Sequence, residues 1–401
     1  MYSSRLQSRN PKRRPGRPPF GLCLQPVPPG GFTLGARMVY HGAMEQKRGS
    51  FQPPAFSGLE RLPGALLPWY QQNARALPWR ADREPYHVWL SEIMLQQTRV
   101  EAVRGYYLRF LEALPTIAAL AEAEEGALLK LWEGLGYYSR ARNLQRAAQR
   151  IQKEFDGVFP REYKAIRSLP GIGDYTAGAI GSICFEMPVA AVDGNVLRVI
   201  ARLCHIRQPM DPPPMKRAVA AALEAVYPPG QCGDFTQALM ELGATLCPPG
   251  GKPRCDACPC REFCQGRMDG APEALPLRTP KRPRKQEAHT LFLLRWEGRI
   301  AIRRRPGQGL LAGLWEFPNV PGRLSTQEAL EQAAAWGLSP IGPEQVLHRT
   351  HIFTHLEWDM TGYVIPCAEA APAFCWVLPQ ELTGSYALPT AFRQFLPALE
   401  Q

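Results

Sequence analysis

Residues 169–195 constrain the fold more than any other stretch of the chain. They open Leu-Pro-Gly-Ile-Gly-Asp-Tyr-Thr-Ala-Gly-Ala-Ile and end in Val-Asp-Gly-Asn. Pro170, Gly171 and Gly173 break one helix and open the next, since proline cannot continue a helix and glycine tolerates positive φ. Both glycines also keep side chains away from whatever approaches the turn, and the free amides at a new helix start suit a phosphate. Asp193 immediately precedes the apolar run Val196, Val199, Ile200, Leu203, whose helical spacing puts it at an N-cap. An anion-gripping turn followed by a carboxylate at a helix mouth points to chemistry on a nucleic acid. Taken singly, the one is an ordinary turn and the other an ordinary cap. The surrounding motifs decide.

The net charge of +11 and pI near 9.2 favour a polyanionic partner over a small acidic molecule. The length of 401 residues predicts two or three domains. No uninterrupted apolar run is long enough to span a membrane, so no membrane partner is expected. Eleven cysteines, among them Cys247, Cys255, Cys258 and Cys264 bunched in one stretch, suit a metal site in a reducing compartment better than a disulfide framework.

Residues 1–55 are basic and rich in Pro and Gly, and are expected to be a disordered extension. A transit peptide, a nucleic-acid-binding arm and a functionless extension from an early start codon all fit them, and no role is assigned. Residues 56–265 read as helical almost throughout. Leu90, Ile93, Met94 and Gln97 follow the spacing of one helix face, residues 141–155 form another helix, and 219–227 and 235–246 continue the pattern. Short Gly/Pro connections predict a compact helical unit without a sheet. Residues 266–288 read as a linker. From 289 to 401 the texture is that of strands, at 290–296, 299–303 and around 352–364, with one helix at 327–336, which predicts a small α+β domain.

The cysteines run Cys247-x7-Cys255-x2-Cys258-x5-Cys264. Four thiolates in one loop, 247–264, can hold zinc or an iron–sulfur cube, and a single Cys-x2-Cys pair flanked by lone cysteines favours a [4Fe–4S] cluster. Cys260 reads as a spectator. Such a cluster would clamp the loop and present Lys252, Arg254 and Arg261 to phosphates. Glu92 sits in Ser-Glu-Ile-Met-Leu-Gln-Gln-Thr; alone it reads as a surface residue beside Arg99 or a salt-bridged one. Beside Asp193 it acquires another meaning. Breaking an N-glycosidic bond needs one carboxyl to protonate the leaving base and another to stabilise the cationic sugar, the two-carboxylate logic of glycoside hydrolysis.

At this point residues 77–264 resemble the endonuclease III superfamily, and specifically the MutY-type adenine DNA glycosylases. The resemblance rests on Leu-Pro-Trp-Arg at 77–80, Trp-Leu-Ser-Glu-Ile-Met-Leu-Gln-Gln-Thr at 89–98 and Gly-Leu-Gly-Tyr-Tyr-Ser-Arg-Ala-Arg-Asn at 134–143. The glycine turn, Val-Asp-Gly-Asn-Val-x-Arg-Val at 192–199 and the four cysteines complete it. Gly-Leu-Leu-Ala-Gly-Leu-Trp-Glu-Phe-Pro at 309–318 and Phe353-Thr354-His355 resemble that family's Nudix-like domain. The fold implied is an all-α helix-hairpin-helix core with an iron–sulfur loop, followed by an α+β Nudix-like domain.

The resemblance also implies roles. Glu92 matches the acid that protonates adenine and then helps to position water. Asp193 matches the carboxylate that stabilises the oxocarbenium ion, with Asn195 supporting it. Tyr175 stands where bifunctional relatives carry the Schiff-base lysine; a phenol forms no imine, so the enzyme should be mainly monofunctional. Gln96 and Tyr137 match residues inserted into the duplex, Gly171 and Gly173 grip a phosphate, and the flipped adenine rests near Trp79 and Arg80. The implied partner is double-stranded DNA with adenine opposite 8-oxoguanine or, as a poorer substrate, guanine; the protein is expected to be a monomer. The loop 353–355 would read the oxidised base.

Two departures stand out. Thr354 replaces the family's usual serine, adding a methyl beside the hydroxyl, and the first cysteine gap has seven residues where six are usual, with the extra one absorbed in Pro-Pro-Gly-Gly. Three competing functions are weaker. A strand-cutting enzyme of the endonuclease III type lacks its lysine, a damage-binding protein would not need Glu92 and Asp193, and a nucleotide hydrolase lacks the Glu-rich metal helix. The short linker looks bacterial, which implies a cytoplasmic, nucleoid-associated protein; a eukaryotic host would imply nucleus or mitochondrion.

Overall fold

The computed structural model describes residues 51–280 and 283–399. The expectation for the basic extension therefore lies outside the described residues as far as residue 50, and residues 51–56 carry no regular structure.

The helices are α1 (Leu62–Asn73), α2 (Pro85–Leu95), α3 (Val100–Ala113), α4 (Ile117–Glu122), α5 (Glu125–Leu131) and α6 (Ser139–Glu154). They continue with α7 (Tyr163–Ser168), α8 (Asp174–Phe185), α9 (Gly194–Leu203), α10 (Pro213–Glu224), α11 (Cys232–Thr245) and the single turn α12 (Gln265–Met268). They build two cores. Trp89, Phe110 and Trp132 centre the first, made by α2 to α8. Leu62, Leu66, Ile200 and Phe235 centre the second, made by α1 with α9 to α11. From α1 the chain thus leaves one lobe, winds the other, and returns.

Polar contacts tie the lobes along α8 and α11. Glu186, the left-handed residue that ends α8 (φ 52°), accepts from the Cys232 amide at 2.6 Å and so caps the start of α11. A buried hydroxyl chain runs beside it, Thr236 Oγ1 lying 2.8 Å from both the Tyr227 hydroxyl and Ser182 Oγ. α8 also passes very close to the 190–191 backbone: a Cβ at Gly178 would stand 2.4 Å from the Ala190 carbonyl oxygen.

The C-terminal part is a mixed sheet of β1 (Lys285–Trp296), β2 (Arg299–Arg304), β3 (Trp315–Glu316), β4 (Asn319–Pro321), β5 (Gln345–Ile352), β6 (Leu356–Pro366) and β7 (Cys375–Val377). Its main path is β3-β2-β1-β6-β5, with β1 and β6 parallel and the other pairs antiparallel. Alternation along β1 fills both faces. Leu291 and Leu293 join Phe392 and Phe395 on one side, while Phe292 and Leu294 join Ala329 and Ala333 of α13 (Thr326–Ala335) on the other. β1 and β2 are joined by a tight hairpin at Glu297 and Gly298, both lying at positive φ (45° and 74°).

Three local expectations are corrected. Gln97 is not on the α2 face: the helix ends at Leu95 and Gln97 turns left-handed at φ 58°, because Arg140 takes up the carbonyls at the helix end. Only Gly171 of the glycine pair uses positive φ (79°), whereas Gly173 is extended at −98°. The first part of the 266–288 segment is packed rather than free. Gly266 is buried against the Arg202 backbone, and Arg202 donates to the Leu275 carbonyl at 3.0 Å.

Replacing Gly178 by alanine is expected to lower stability by about 1–3 kcal/mol despite alanine's better helix propensity, because the contact is with backbone that cannot swing aside. An unchanged thermal midpoint for Gly178→Ala would refute the close approach.

Candidate active site

A cleft of about 490 Å³ opens where the two helical lobes meet, and both carboxylates singled out in the sequence line it. Glu92 comes from α2 in the first lobe and is only 6% exposed. The Tyr175 hydroxyl, from the first turn of α8, donates to Glu92 Oε2 at 2.6 Å. Neither the surface position nor the Arg99 pairing occurs. Burial pushes the Glu92 carboxyl up to about 7; the Tyr175 hydrogen bond opposes that rise and the charge of Asp193 adds to it. Burial beside Glu92 also raises the Tyr175 phenol well above its ordinary range.

Asp193 is the N-cap of α9, as its spacing predicts. Oδ1 accepts from the amides of Val196 at 2.7 Å and Asn195 at 2.9 Å, and Oδ2 accepts from Asn195 Nδ2 at 2.7 Å. Burial raises its pKa, and these three donors pull it back toward the ionised form. Asn195 is fixed in turn by Arg198, whose Nη2 donates to Asn195 Oδ1 at 2.8 Å while Nε donates to the Cys247 carbonyl at 2.8 Å. A continuous hydrogen-bonded path therefore joins the cysteine loop to Asp193. A Cβ at Gly243 would stand 2.8 Å from Asn195 Cβ, so α11 closes on the same residue from behind.

Trp79 and Arg80 line the cleft. Trp79 is mostly buried, its ring edge-on to Tyr107 at 5.5 Å. Arg80 Nη2 donates to Glu241 Oε2 at 2.8 Å, and Arg75 holds the same carboxylate through Nε at 2.6 Å and Nη2 at 3.0 Å. Burial alone would raise the Glu241 carboxyl, but the two guanidiniums outweigh it and hold it below the usual range. Glu241 and Arg75 escaped the sequence reading. The available signal was a glutamate in the buried stripe Ala238, Leu239, Leu242 of α11.

At the mouth, Gln96 follows the end of α2, its Nε2 3.4 Å from Thr176 Oγ1. Tyr137 is nearly half exposed on the left-handed turn (φ 48°) ahead of α6. One buried guanidinium bolts the two segments together: Arg140 reaches the carbonyls of Ile93 (2.7 Å), Met94 (3.0 Å), Gln96 (2.8 Å), Leu135 (2.9 Å) and Gly136 (3.1 Å). The Tyr137 hydroxyl lies 2.7 Å from Thr354 Oγ1, across a cavity of about 360 Å³ between the helical part and the sheet. Phe353 packs edge-on to His351 and Trp358, and Thr354 and His355 are exposed on the turn between β5 and β6. Gly171 and Gly173 are exposed at the α7–α8 turn and do not line the cleft.

Cys247, Cys255, Cys258 and Cys264 line a single pocket with Arg202, Arg261 and Arg267. Arg202 Nη1 donates to Cys247 Sγ at 3.1 Å, whereas Cys260 is buried outside that lining. Among the described residues the cysteines are unpaired, and no three His, Cys, Asp or Glu side chains are drawn together as a single-ion site. Two of the three cations expected to face phosphate are otherwise engaged, Arg254 with the Thr245 carbonyl and Arg261 with Glu262 and the Asp256 carbonyl.

A family model described as HhH-GPD superfamily base excision DNA repair protein matches residues 90–229, and one described as NUDIX domain matches 290–398. The protein is thus a base-excision DNA glycosylase with an appended Nudix domain, a hydrolase whose partner is DNA. The adenine DNA glycosylase of Rattus norvegicus is 33% identical over 400 residues, 84% of this chain and 77% of that one. That of Homo sapiens is 33% identical over 397 residues, 82% and 72% of the two chains. A solved thermostable thymine-DNA glycosylase is 28% identical with a TM-score of 0.48, over 53% of this chain and 97% of that one. The chain belongs to the adenine DNA glycosylase family.

The raised Glu92 pKa has a stability consequence. Between the ordinary 4.5 and about 7 the folded protein keeps a proton that the unfolded chain releases, so stability falls as pH rises through that window. Glu92→Gln keeps an acceptor for Tyr175 without ionising. It is expected to match the wild type near pH 4.5 and to exceed it above pH 7 by on the order of 1 kcal/mol. Denaturant melts at the two pH values check this, and equal offsets at both would refute it.

Proposed function

We propose that this protein removes adenine mispaired with 8-oxoguanine, and more slowly adenine opposite guanine, by hydrolysing the N-glycosidic bond and leaving an abasic site. The carrying observation is the contrast between two buried carboxyls in one cleft, Glu92 raised to about 7 and Asp193 held by three N–H donors. Donors of this kind favour the ionised form, so Asp193 is suited to be the anion and Glu92 the acid. Glu92 gives its proton to a ring nitrogen of the extruded adenine. The C1′–N bond breaks with its electron pair leaving on the base, and Asp193 stabilises the cationic sugar. Water adds to C1′, and its proton returns to Glu92. Tyr175 holds Glu92 and offers no amine for a Schiff base, which supports base removal without strand cleavage.

Trp79 and Arg80, with Arg80 oriented by Glu241, support a base-binding role on one wall of the cleft. Gln96 and Tyr137, bolted to each other through Arg140, are suited to fill the gap left in the duplex. The turn with Phe353, Thr354 and His355, beside Tyr137, is suited to reading the opposite base. The sheet part is read as binding rather than hydrolytic. Glu328, on the helix where Nudix hydrolases carry metal ligands, is spent in a capping box with Ser325, and Glu331 takes a hydrogen bond from Gln327.

Cys247, Cys255, Cys258 and Cys264 are proposed to hold a [4Fe–4S] cluster. Burial raises Cys255 and, to about 11, Cys264, so a cationic group is what would ionise them, and the three arginines lining the pocket suit the resulting anionic assembly. Its contribution is structural, fixing the loop whose Cys247 carbonyl holds Arg198. Protein purified without oxidation is expected to carry about four iron atoms per chain; zinc in their place would refute the cluster.

Single-turnover cleavage of duplexes with adenine opposite 8-oxoguanine and opposite guanine, with and without alkali, tests the activity. Strand breaks should appear only after alkali and faster with 8-oxoguanine. Asp193→Asn and Glu92→Gln should each slow the reaction by at least about 100-fold. The wild-type rate should fall as pH rises through about 7, where Glu92 loses its proton. No cleavage of either duplex would overturn the proposal.

A further inference from the structure

The recognition turn lies on a different core from the catalytic carboxylates, so its position depends on the joint between the helical part and the sheet part. An ion pair on the helical side of that joint, Lys130 with Glu133, reaches across it, and Arg393 of the sheet part comes within 3.8 Å of Glu133 Oε2. Lys130, in the last turn of α5, uses its ammonium three ways: on Glu133 Oε2 at 2.7 Å, on the Thr383 carbonyl at 2.6 Å and on the Tyr386 carbonyl at 3.2 Å. Glu133 answers in the other direction, its Oε1 accepting from the Leu388 amide at 2.8 Å. The two side chains are 22% and 11% exposed, so water competes weakly. Around them Leu314 and Ala387 of the sheet part are buried in the core of the first helical lobe.

Glu133 also begins the turn that carries Tyr137. Its own carbonyl accepts from the Tyr106 hydroxyl at 2.7 Å, and a Cβ on the next residue, Gly134, would collide with that hydroxyl. On the other side, the chain that Lys130 and Glu133 grip runs into Pro389–Ala391, which line the same cavity as Phe353, Thr354 and His355. The pair therefore fastens both walls of the cavity at its base, while the Tyr137–Thr354 contact closes its rim.

We infer that Lys130 and Glu133 are positioning residues for lesion selectivity, a two-way clamp that sets Thr354 against the opposite base. The inference rests on the proposed reading role of residues 353–355. It predicts that breaking the clamp impairs discrimination and spares base removal, because Glu92 and Asp193 lie in a cleft the clamp does not touch.

The measurement is the ratio of single-turnover rates on adenine:8-oxoguanine and adenine:guanine duplexes, with enzyme in excess so that a partly unfolded preparation leaves the ratio intact. Lys130→Met and Glu133→Ala should each lower the ratio about 5- to 10-fold, chiefly through the 8-oxoguanine rate. Lys130→Arg, which keeps donors for the carbonyls, should preserve it. The exchanged pair Lys130→Glu/Glu133→Lys should stay low, because a carboxylate cannot serve the Thr383 and Tyr386 carbonyls. Thr354→Ala is the control for the reading itself. If it lowers the ratio and the clamp variants do not, the clamp is overturned alone. An unchanged ratio in Thr354→Ala overturns the reading, and the clamp with it. Equal loss of both rates in the clamp variants shows a general structural role and overturns the inference.

Discussion

The site depends on the first turn of α9. Asp193 occupies a position where a carboxylate meets two free backbone amides and a side-chain amide together. An anion can be held in a desolvated cleft only if such donors replace its water. The rest of the second lobe secures that turn. Arg198 locks Asn195, Gly243 lets α11 close behind it, and the cysteine loop holds Arg198 through the Cys247 carbonyl.

Glu92 presents the opposite case. It has one hydrogen bond, from a phenol, and an apolar helix around it, so burial dominates and the carboxyl keeps its proton near neutrality. Burial raises both carboxyls, and they differ in what offsets it: Asp193 faces helix amides, whereas Glu92 faces a core. That difference exists only while the lobes stay in register, which is the service of Glu186 capping α11 and of the hydroxyl chain through Ser182, Thr236 and Tyr227. A protein can afford one unfavourable buried acid because the two hydrophobic cores on either side do not depend on it.

Much of this was legible from residue patterns. The cap at Asp193, the helix at 327–336, the hairpin at Glu297-Gly298 and the change from helical to strand texture near 289 are local properties of spacing and turn chemistry. What misled was also local. Gln97 fits the helical period of α2, yet Arg140, more than forty residues later, takes the carbonyls that would have continued the helix. The basic, proline-rich stretch after the cysteines looked like linker, yet the buried guanidinium of Arg202 draws Leu275 onto the second lobe. Glu241 and Arg75 were invisible because their importance is a pairing across 166 residues.

By itself the sequence determined which side chains are available for chemistry: two carboxylates, a phenol where an amine would change the reaction, and four thiols at cluster spacing. It also determined where helices begin and end wherever caps and glycines settle the matter within a few residues. Only the tertiary structure decided the protonation of Glu92, the orientation of Arg80 by Glu241, and the meeting of Tyr137 with Thr354. Each of these is a matter of burial or of contact between segments far apart in the chain. Solvent exclusion and long-range pairing arise from packing, and no local spacing encodes them.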